Sequence, residues 1–291
     1  MASLRDVRNR IKSVISTQRI TNAMENVAAA KLRRAQQRIE QTRPYAEKMD
    51  EMLSHLAAAS TGEISHPYFE QRDVKRKTLV VIASDRGFCG SFNSNVIRAA
   101  SIWLQENKEY ETEIVVVGKK AFDFFKRRLQ PLEFYGDWGG TLDYSRARDI
   151  VRFLTDRFVE GATDSISLVY TQFISTAKYR VQLQDYLPIP PPEIPEEGED
   201  DGGGHADYIF EPNAETIYGE LMPGYATTKF VTALADSFAA EHGSRMIAMN
   251  NATKNAGEMI DRLTLDYNKA RQAQITTELL EVVSGAEALK G

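Results

Sequence analysis

The chain has 291 residues, 42% of them apolar and 26% charged, with a net charge of −5. This is the profile of a globular protein with one large domain or two smaller ones. Its longest aliphatic run, Leu79–Ala83, is far too short to cross a bilayer, so any membrane contact is expected to come through other proteins. Cys89 is the only cysteine and the four histidines are scattered, which excludes an intrachain disulfide and argues against a metal cluster.

No signal peptide or Arg/Ser-rich presequence is expected, because helical patterning begins by Leu4. Ser3 is the expected N-cap, with Asp6 at N3. Leu4, Val7, Ile11, Val14, Gln18 and Thr21, then Met24, Ala28, Leu32, Ala35 and Ile39, keep the 3,4 spacing of a coiled-coil seam. Small residues around Ala28–Ala30 allow a partner helix to approach closely. The helix is expected to pass Pro44 with a kink or short break and to continue through Tyr45, Met49, Met52 and Leu56. A loop with Thr61-Gly62 and the charged stretch Gln71–Lys77 follows. Residues 1–43 carry ten Lys/Arg, among them Arg8, Arg10 and Lys12, against Asp6, Glu25 and Glu40. Composition favours a solvated face for such a run; an acidic protein partner or nucleic acid are the functional alternatives.

The middle of the chain changes character. Thr78–Ala83, Glu113–Gly118, Glu133–Tyr135, Ser165–Phe173 and Tyr179–Leu187 read as strands. Ser91–Glu106, Lys119–Leu129 and Leu142–Phe158 read as helices between them. Continuous apolar strands alternating with amphipathic helices predict a mostly parallel α/β layer with an antiparallel edge. Pro188–Ala206, with five prolines, six carboxylates and four glycines, is expected to be an exposed flexible loop. Tyr208–Phe210 is expected to add a strand, and a helix should start at Glu211-Pro212-Asn213 and be interrupted at Pro223-Gly224.

The run from Pro223 to Leu289 organises the rest. Met246, Met249, Thr253, Ala256, Ile260, Leu263, Tyr267 and Ala270 hold the 3,4 spacing; the seam then skips and resumes at Ile275, Leu279, Val282, Ala286 and Leu289. One helix of roughly 95 Å, at 1.5 Å per residue, fits this run. Such a helix needs a partner, and the first helix is the candidate, giving an antiparallel pair closed by a globular domain.

Two stretches invite a chemical reading. Ser84–Ser91 joins a strand to a helix, where α/β folds bind phosphates, yet it matches neither the dinucleotide nor the P-loop pattern. Cys89 lacks a histidine in a catalytic context. Its glycines fit a tight turn, with Asp85 and Arg86 making structural or interface contacts. Arg271–Glu278 falls where the seam slips: either a tolerated stutter, or donors reaching a surrounding partner. The apolar tip, Val282–Leu289, is expected to sit inside something.

Ile20–Arg33 resembles the opening helix of the ATP synthase gamma subunit, Ser84–Asn93 (SDRGFCGSFN) its central motif, and Arg245–Ala288 its C-terminal signature. Asn22 and Asn26 depart from the family's usual residues, and Pro188–Ala206 is longer and more acidic than usual. The resemblance implies a fold of a long antiparallel coiled coil of N- and C-terminal helices plus a Rossmann-like, mostly parallel α/β domain. It implies a non-catalytic rotor of F1, without cofactor or metal, in a hexamer of three alpha and three beta subunits. The α/β foot would rest on epsilon and the c-ring, reaching the membrane only through that ring, at the cytoplasmic side of the bacterial inner membrane. The rotating shaft would bias each beta subunit by its differential contacts. By the same resemblance, the basic first helix with Arg8, Arg10 and Lys12 meets acidic levers of beta, attracted over about a Debye length of 8–10 Å. Met24 and Arg245 lie at those levers, Arg271, Gln272 and Thr276 make polar contacts higher up, and Val282 to Leu289 enter the hexamer's sleeve. Asp85, Arg86, Gly87, Cys89, Gly90 and Asn93 form a structural motif at the foot. The lone cysteine excludes the dithiol switch of the chloroplast version.

The expected division is a shaft helix over 1–60, the foot over 77–190, the acidic loop over 191–207, and a strand and shaft helix over 208–291. Two other function classes compete. A nucleotide-dependent α/β enzyme with helical arms would bind nucleotide through Ser84–Ser91, and a basic coiled coil would bind DNA with steep salt dependence.

Overall fold

A computed structural model describes residues 4–59, 66–190 and 214–288. The expectations at Ser3, Thr61-Gly62, Tyr208–Phe210, Glu211-Pro212-Asn213 and Leu289, and the acidic loop from 191 onward, lie outside the described residues. The elements are α1 (Leu4–Ala59), a 3-10 turn (Pro67–Phe69), β1 (Arg76–Ile82), α2 (Phe92–Glu106), β2 (Glu111–Val117), α3 (Lys119–Phe125), β3 (Glu133–Tyr135), α4 (Tyr144–Val159), β4 (Ser165–Ser175), β5 (Lys178–Leu187) and α5 (Ala214–Ala288). They form two compact units, Met1–Ala28 with Arg245–Gly291, and Ala29–Ser244.

The larger unit is built on a five-stranded sheet of order β3-β2-β1-β4-β5. β1 to β4 run parallel, while β5 pairs antiparallel with β4 as an edge. Buried β1 residues alternate between the two faces, as a pleated strand requires. Leu79 and Val81 join Ala100, Trp103, Ala121 and Phe125 beneath α2 and α3. Val80 and Ile82 face α4, the end of α1 and the first part of α5, through Leu154, Leu56, Phe230 and Leu234. Burying each such side chain contributes about 1.5–3 kcal/mol, so this second face fastens both long helices to the sheet.

Neither proline breaks its helix. α1 continues through Pro44 and α5 through Pro223, contrary to the interruption expected at Pro223-Gly224. Both prolines face solvent, where water solvates the carbonyl four residues back. Around Pro223, Tyr218, Met222 and Ala226 are buried, and the Tyr186 hydroxyl donates to the Ala226 carbonyl at 2.9 Å. These contacts outweigh the roughly 3 kcal/mol cost of an internal proline. Along α1 the expected seam residues Ala28, Leu32, Ile39, Met49 and Leu56 are buried, but Tyr45 and Met52 are exposed and Leu53 takes the inward place beyond Pro44.

Two other expectations shift. α3 ends at Phe125 rather than Leu129. The acidic loop does not start exposed: Ile189 is buried and its N–H donates to the Tyr68 carbonyl.

The smaller unit is an antiparallel pair made by the start of α1 and the end of α5. Glu25 accepts from Asn250 at 2.8 Å, Thr21 accepts from Thr253 at 2.8 Å, and Gln18 lies beside Gly257. One number falls as the other rises. Leu4, Val7, Ile11, Val14 and Gln18 are partly buried among mostly exposed neighbours, and Thr21 is buried. These are the seam positions that the spacing predicts.

Candidate functional site

The C-terminal rim of the parallel strands is the place where an α/β sheet offers a ligand site, in the crevice where strand order reverses. Here the reversal lies between β1 and β4, and the loop 83–91 after β1 is the motif singled out from sequence. Its parts are turned inward on one another. Ser84 N–H and Oγ both donate to Asn93 Oδ1 at 3.0 Å, and Asn93 Nδ2 donates to Cys89 Sγ at 3.2 Å. Cys89 is buried, so its thiol serves packing and hydrogen bonding. Phe88 has φ +60° and is 73% exposed, an uncommon conformation for a bulky residue.

Asp85 does the most in this loop. Its Oδ1 accepts from Lys119 N (3.1 Å) and Asp137 N (3.2 Å), and its Oδ2 from Trp138 N (2.7 Å) and Gly139 N (3.1 Å). A carboxylate answering four backbone N–H groups makes charge-assisted bonds, about twice as strong as neutral ones. It joins the loops after β1, β2 and β3.

The crevice itself is filled by α5. Ser244 Oγ donates to the Cys89 carbonyl at 2.5 Å, and a Cβ on Gly90 would stand 3.3 Å from that oxygen. Gly243 lies against the β4–β5 turn, where a Cβ would meet the Thr176 carbonyl at 3.3 Å. About two turns earlier, Ser237 Oγ accepts from Thr171 N at 3.1 Å, and Asp236 accepts the Phe173 N–H. Those two N–H groups belong to the part of β4 that outruns β1, so α5 supplies the partners that the sheet lacks. Burial pushes the Asp236 carboxyl up to about 6, against the pull of Arg43 and the Phe173 bond. Ser244 and Gly243 thus press against the loop after β1 and the β4–β5 turn, where a nucleotide would have to enter.

The basic residues of α1 fall into two groups. Arg8, Arg10 and Lys12 are exposed in the smaller unit, with Met24 and Arg245 half-buried. In the larger unit Lys31, Arg34 and Arg38 line a cavity of about 350 Å³ beside Gly140 and Leu142, with no acidic residue in its wall. Among the described residues no His/Cys/Asp/Glu group could hold a metal.

The seam slip in α5 has a structural counterpart. The register of the smaller unit, 25 with 250, 21 with 253 and 18 with 257, places Leu4 level with about residue 271. Every described residue from Arg271 to Ala286 is exposed, including Arg271, Gln272, Thr276, Ile275, Leu279, Leu280, Val282 (70%) and Val283. The apolar pattern there continues with nothing among the described residues to cover it.

Three residues escaped the sequence reading. Lys31 Nζ donates to the Gly139 carbonyl at 2.8 Å, His242 Nε2 lies 2.8 Å from the Gly140 carbonyl, and Ser244 holds Cys89. The signal available was polar Asp236, Ser237, His242 and Ser244 inside an otherwise buried helical stretch, together with the Gly139-Gly140 pair.

The sequence pattern of the ATP synthase family matches residues 3–289. The chain is 45% identical to the ATP synthase gamma chain of Desulforamulus reducens over 291 residues, and 43% identical to that of Flavobacterium psychrophilum over 293, with all of each chain covered. In fold it resembles a chain of the Euglena gracilis mitochondrial ATP synthase OSCP/F1/c-ring structure in rotational state 3. There the TM-score is 0.66 at 19% identity, over 98% of this chain and 94% of that one. A chain of the Tetrahymena thermophila mitochondrial central stalk and c-ring gives 0.59 at 24% identity, over 80% and 99%.

Proposed function

This chain belongs to the gamma-chain family of ATP synthase, and we propose that the bare end of α5 and the basic face of α1 are where alpha and beta subunits bear on it. It is the non-catalytic central shaft of the complex, coupling rotation to conformational change at the beta subunits, where the catalytic sites lie. It is part of a membrane-associated complex, and no described helix is long and apolar enough to cross a membrane.

The finer assignments are these. The chain stands once among three alpha and three beta subunits, with residues 1–60 and 208–291 as shaft and 77–190 as foot. The foot meets epsilon and the c-ring, at the cytoplasmic side of the bacterial plasma membrane. Arg8, Arg10, Lys12, Met24 and Arg245 face the acidic levers of beta; Arg271, Gln272 and Thr276 make polar contacts with the hexamer; Val282 and Leu289 lie in its sleeve. Asp85, Arg86, Gly87, Cys89, Gly90 and Asn93 hold the foot together rather than perform chemistry. One observation carries the reading most: Ile275, Leu279, Leu280, Val282 and Val283 are exposed on a helix that has outrun its partner. A cluster of this kind, gathered here on one face of the helix, marks an interface.

Co-expression with cognate alpha and beta subunits tests this. A stable complex of three alpha, three beta and one copy of this chain, whose ATPase activity depends on the chain, is expected. Alpha and beta subunits that assemble and turn over indifferently to it would overturn the proposal.

A further inference from the structure

A rotor must pass torque from its foot to its shaft, so the two long helices have to be held against rotation and sliding where they cross the foot. The apolar face of the sheet resists separation but is weakly directional. Directional restraint comes from hydrogen bonds; α5 is tied to β4 through Ser237 and to β5 through Tyr186, and the bonds from both long helices to the loops meet at the rim. α1 reaches the rim through Lys31 to the Gly139 carbonyl (2.8 Å). α5 reaches it through His242 to the Gly140 carbonyl (2.8 Å) and Ser244 to the Cys89 carbonyl (2.5 Å). Tyr179 of β5 adds a hydroxyl 3.2 Å from Ser244 Oγ, and Trp138 packs on Phe238 of α5 at 5.8 Å between ring centroids.

All three carbonyls lie on loops, which by themselves are the compliant parts of a fold. Asp85 is what removes the compliance. It sits four residues before Cys89 and binds the N–H groups of Asp137, Trp138 and Gly139, directly before Gly140, together with that of Lys119 at the start of α3. Gly140 has φ +70°, and a Cβ there would lie 2.5 Å from His242 Nε2; the backbone is pressed against the helix at the point of grip.

We propose that Asp85 is a positioning residue for torque transmission, joining the loops after β1, β2 and β3 into one stiff collar that grips α1 at Lys31 and α5 at His242 and Ser244. This rests on the rotor reading. The collar contributes nothing to ATP chemistry. It sets how much of each rotation delivered at the foot arrives at the shaft helices, and the reverse.

The experiment uses the complete membrane-bound complex in inverted vesicles. ATP hydrolysis and ATP-driven proton uptake are measured on the same preparation, and the ratio of pumping to hydrolysis is read per assembled complex. Asp85→Ala is expected to lower that ratio several-fold. Asp85→Asn, which keeps one carbonyl oxygen for two of the four N–H groups, is expected to fall between Ala and wild type. A purely structural role would reduce the amount of complex and leave the ratio unchanged. Lys31→Met removes one grip without altering the collar and is expected to lower the ratio as well, which keeps the proposal testable if Asp85→Ala does not assemble. A wild-type ratio in Lys31→Met and in any assembled Asp85 variant overturns the collar. A wild-type complex that lacks this chain, or pumps without it, overturns the rotor reading instead.

Discussion

Replacing Asp236 by Asn is predicted to stabilise the folded chain at neutral pH. Asp236 is 5% exposed on α5, and burial lifts its carboxyl from 3.8 to about 6. Arg43 of α1 and the Phe173 N–H of β4 pull the other way, while Tyr170 of β4 feels its charge. The folded-state value lies above the unfolded one, so the protonated form favours folding. That contribution is fully present below pH 3.8 and is lost as pH rises through 6. At pH 7.5 the ionised group costs on the order of 2–3 kcal/mol, at 1.36 kcal/mol per unit. The raised value already contains the pull of Arg43; Asn has the same shape and keeps an oxygen for Phe173, but its amide nitrogen would stand where the other, buried oxygen has no hydrogen-bond partner. The expected net gain is therefore about 1–2 kcal/mol at pH 7.5, shrinking to nothing toward pH 4. Urea unfolding of the wild-type and Asn chains across pH 4–8 measures this. A variant less stable than wild type at pH 7.5 would refute the reasoning, because it would mean that the unpartnered amide nitrogen costs more than the buried charge.

Other perturbations separate fold from function. Arg271→Ala with Gln272→Ala should leave the melting temperature of the isolated chain unchanged, since both residues are exposed, and should weaken coupling or assembly; unaltered assembly and turnover would end the case for polar contacts there. Leu279→Ser with Val283→Ser should likewise spare the isolated chain but reduce co-purification of alpha and beta, and wild-type recovery would argue against a sleeve around the tip. Gly140→Ala should destabilise the larger unit by about 1–3 kcal/mol, from its positive φ and the approach of His242; a neutral result in thermal unfolding would show that His242 moves aside freely. The isolated chain should show no saturable ATP binding by calorimetry, because Ser244 and Gly243 occupy the crevice, and tight binding would revive the enzyme alternative.

The helical seams were legible because a heptad is local: Thr21, Ala28, Met249 and Ala256 announce themselves by spacing, and all four are buried. Strand positions were legible for the same reason, as uninterrupted runs such as residues 79–83. Pro223 misled, since its local cost is visible in sequence while the burial of Tyr218, Met222 and Ala226 that offsets it is tertiary. The collar was not legible at all. Asp85 meets Trp138 across 53 positions, and His242 meets Gly140 across 102, pairings that no period or spacing encodes. Asp85 could be marked from sequence as a structural or interface contact of the motif around Cys89, but its partners at Lys119 and residues 137–139 could not. The slip at Arg271 could be located from sequence but explained only by the register, which ends the two-helix pairing at that point.

The most direct test of the rotary account is to fix alpha–beta hexamers to a surface, attach a bead to this chain at a cysteine placed in the exposed face of α2, and watch it with ATP present. Unidirectional rotation in three equivalent steps per turn is predicted, each step reporting one beta subunit. A bead that stays still, or moves without direction, in complexes that are hydrolysing ATP would contradict it.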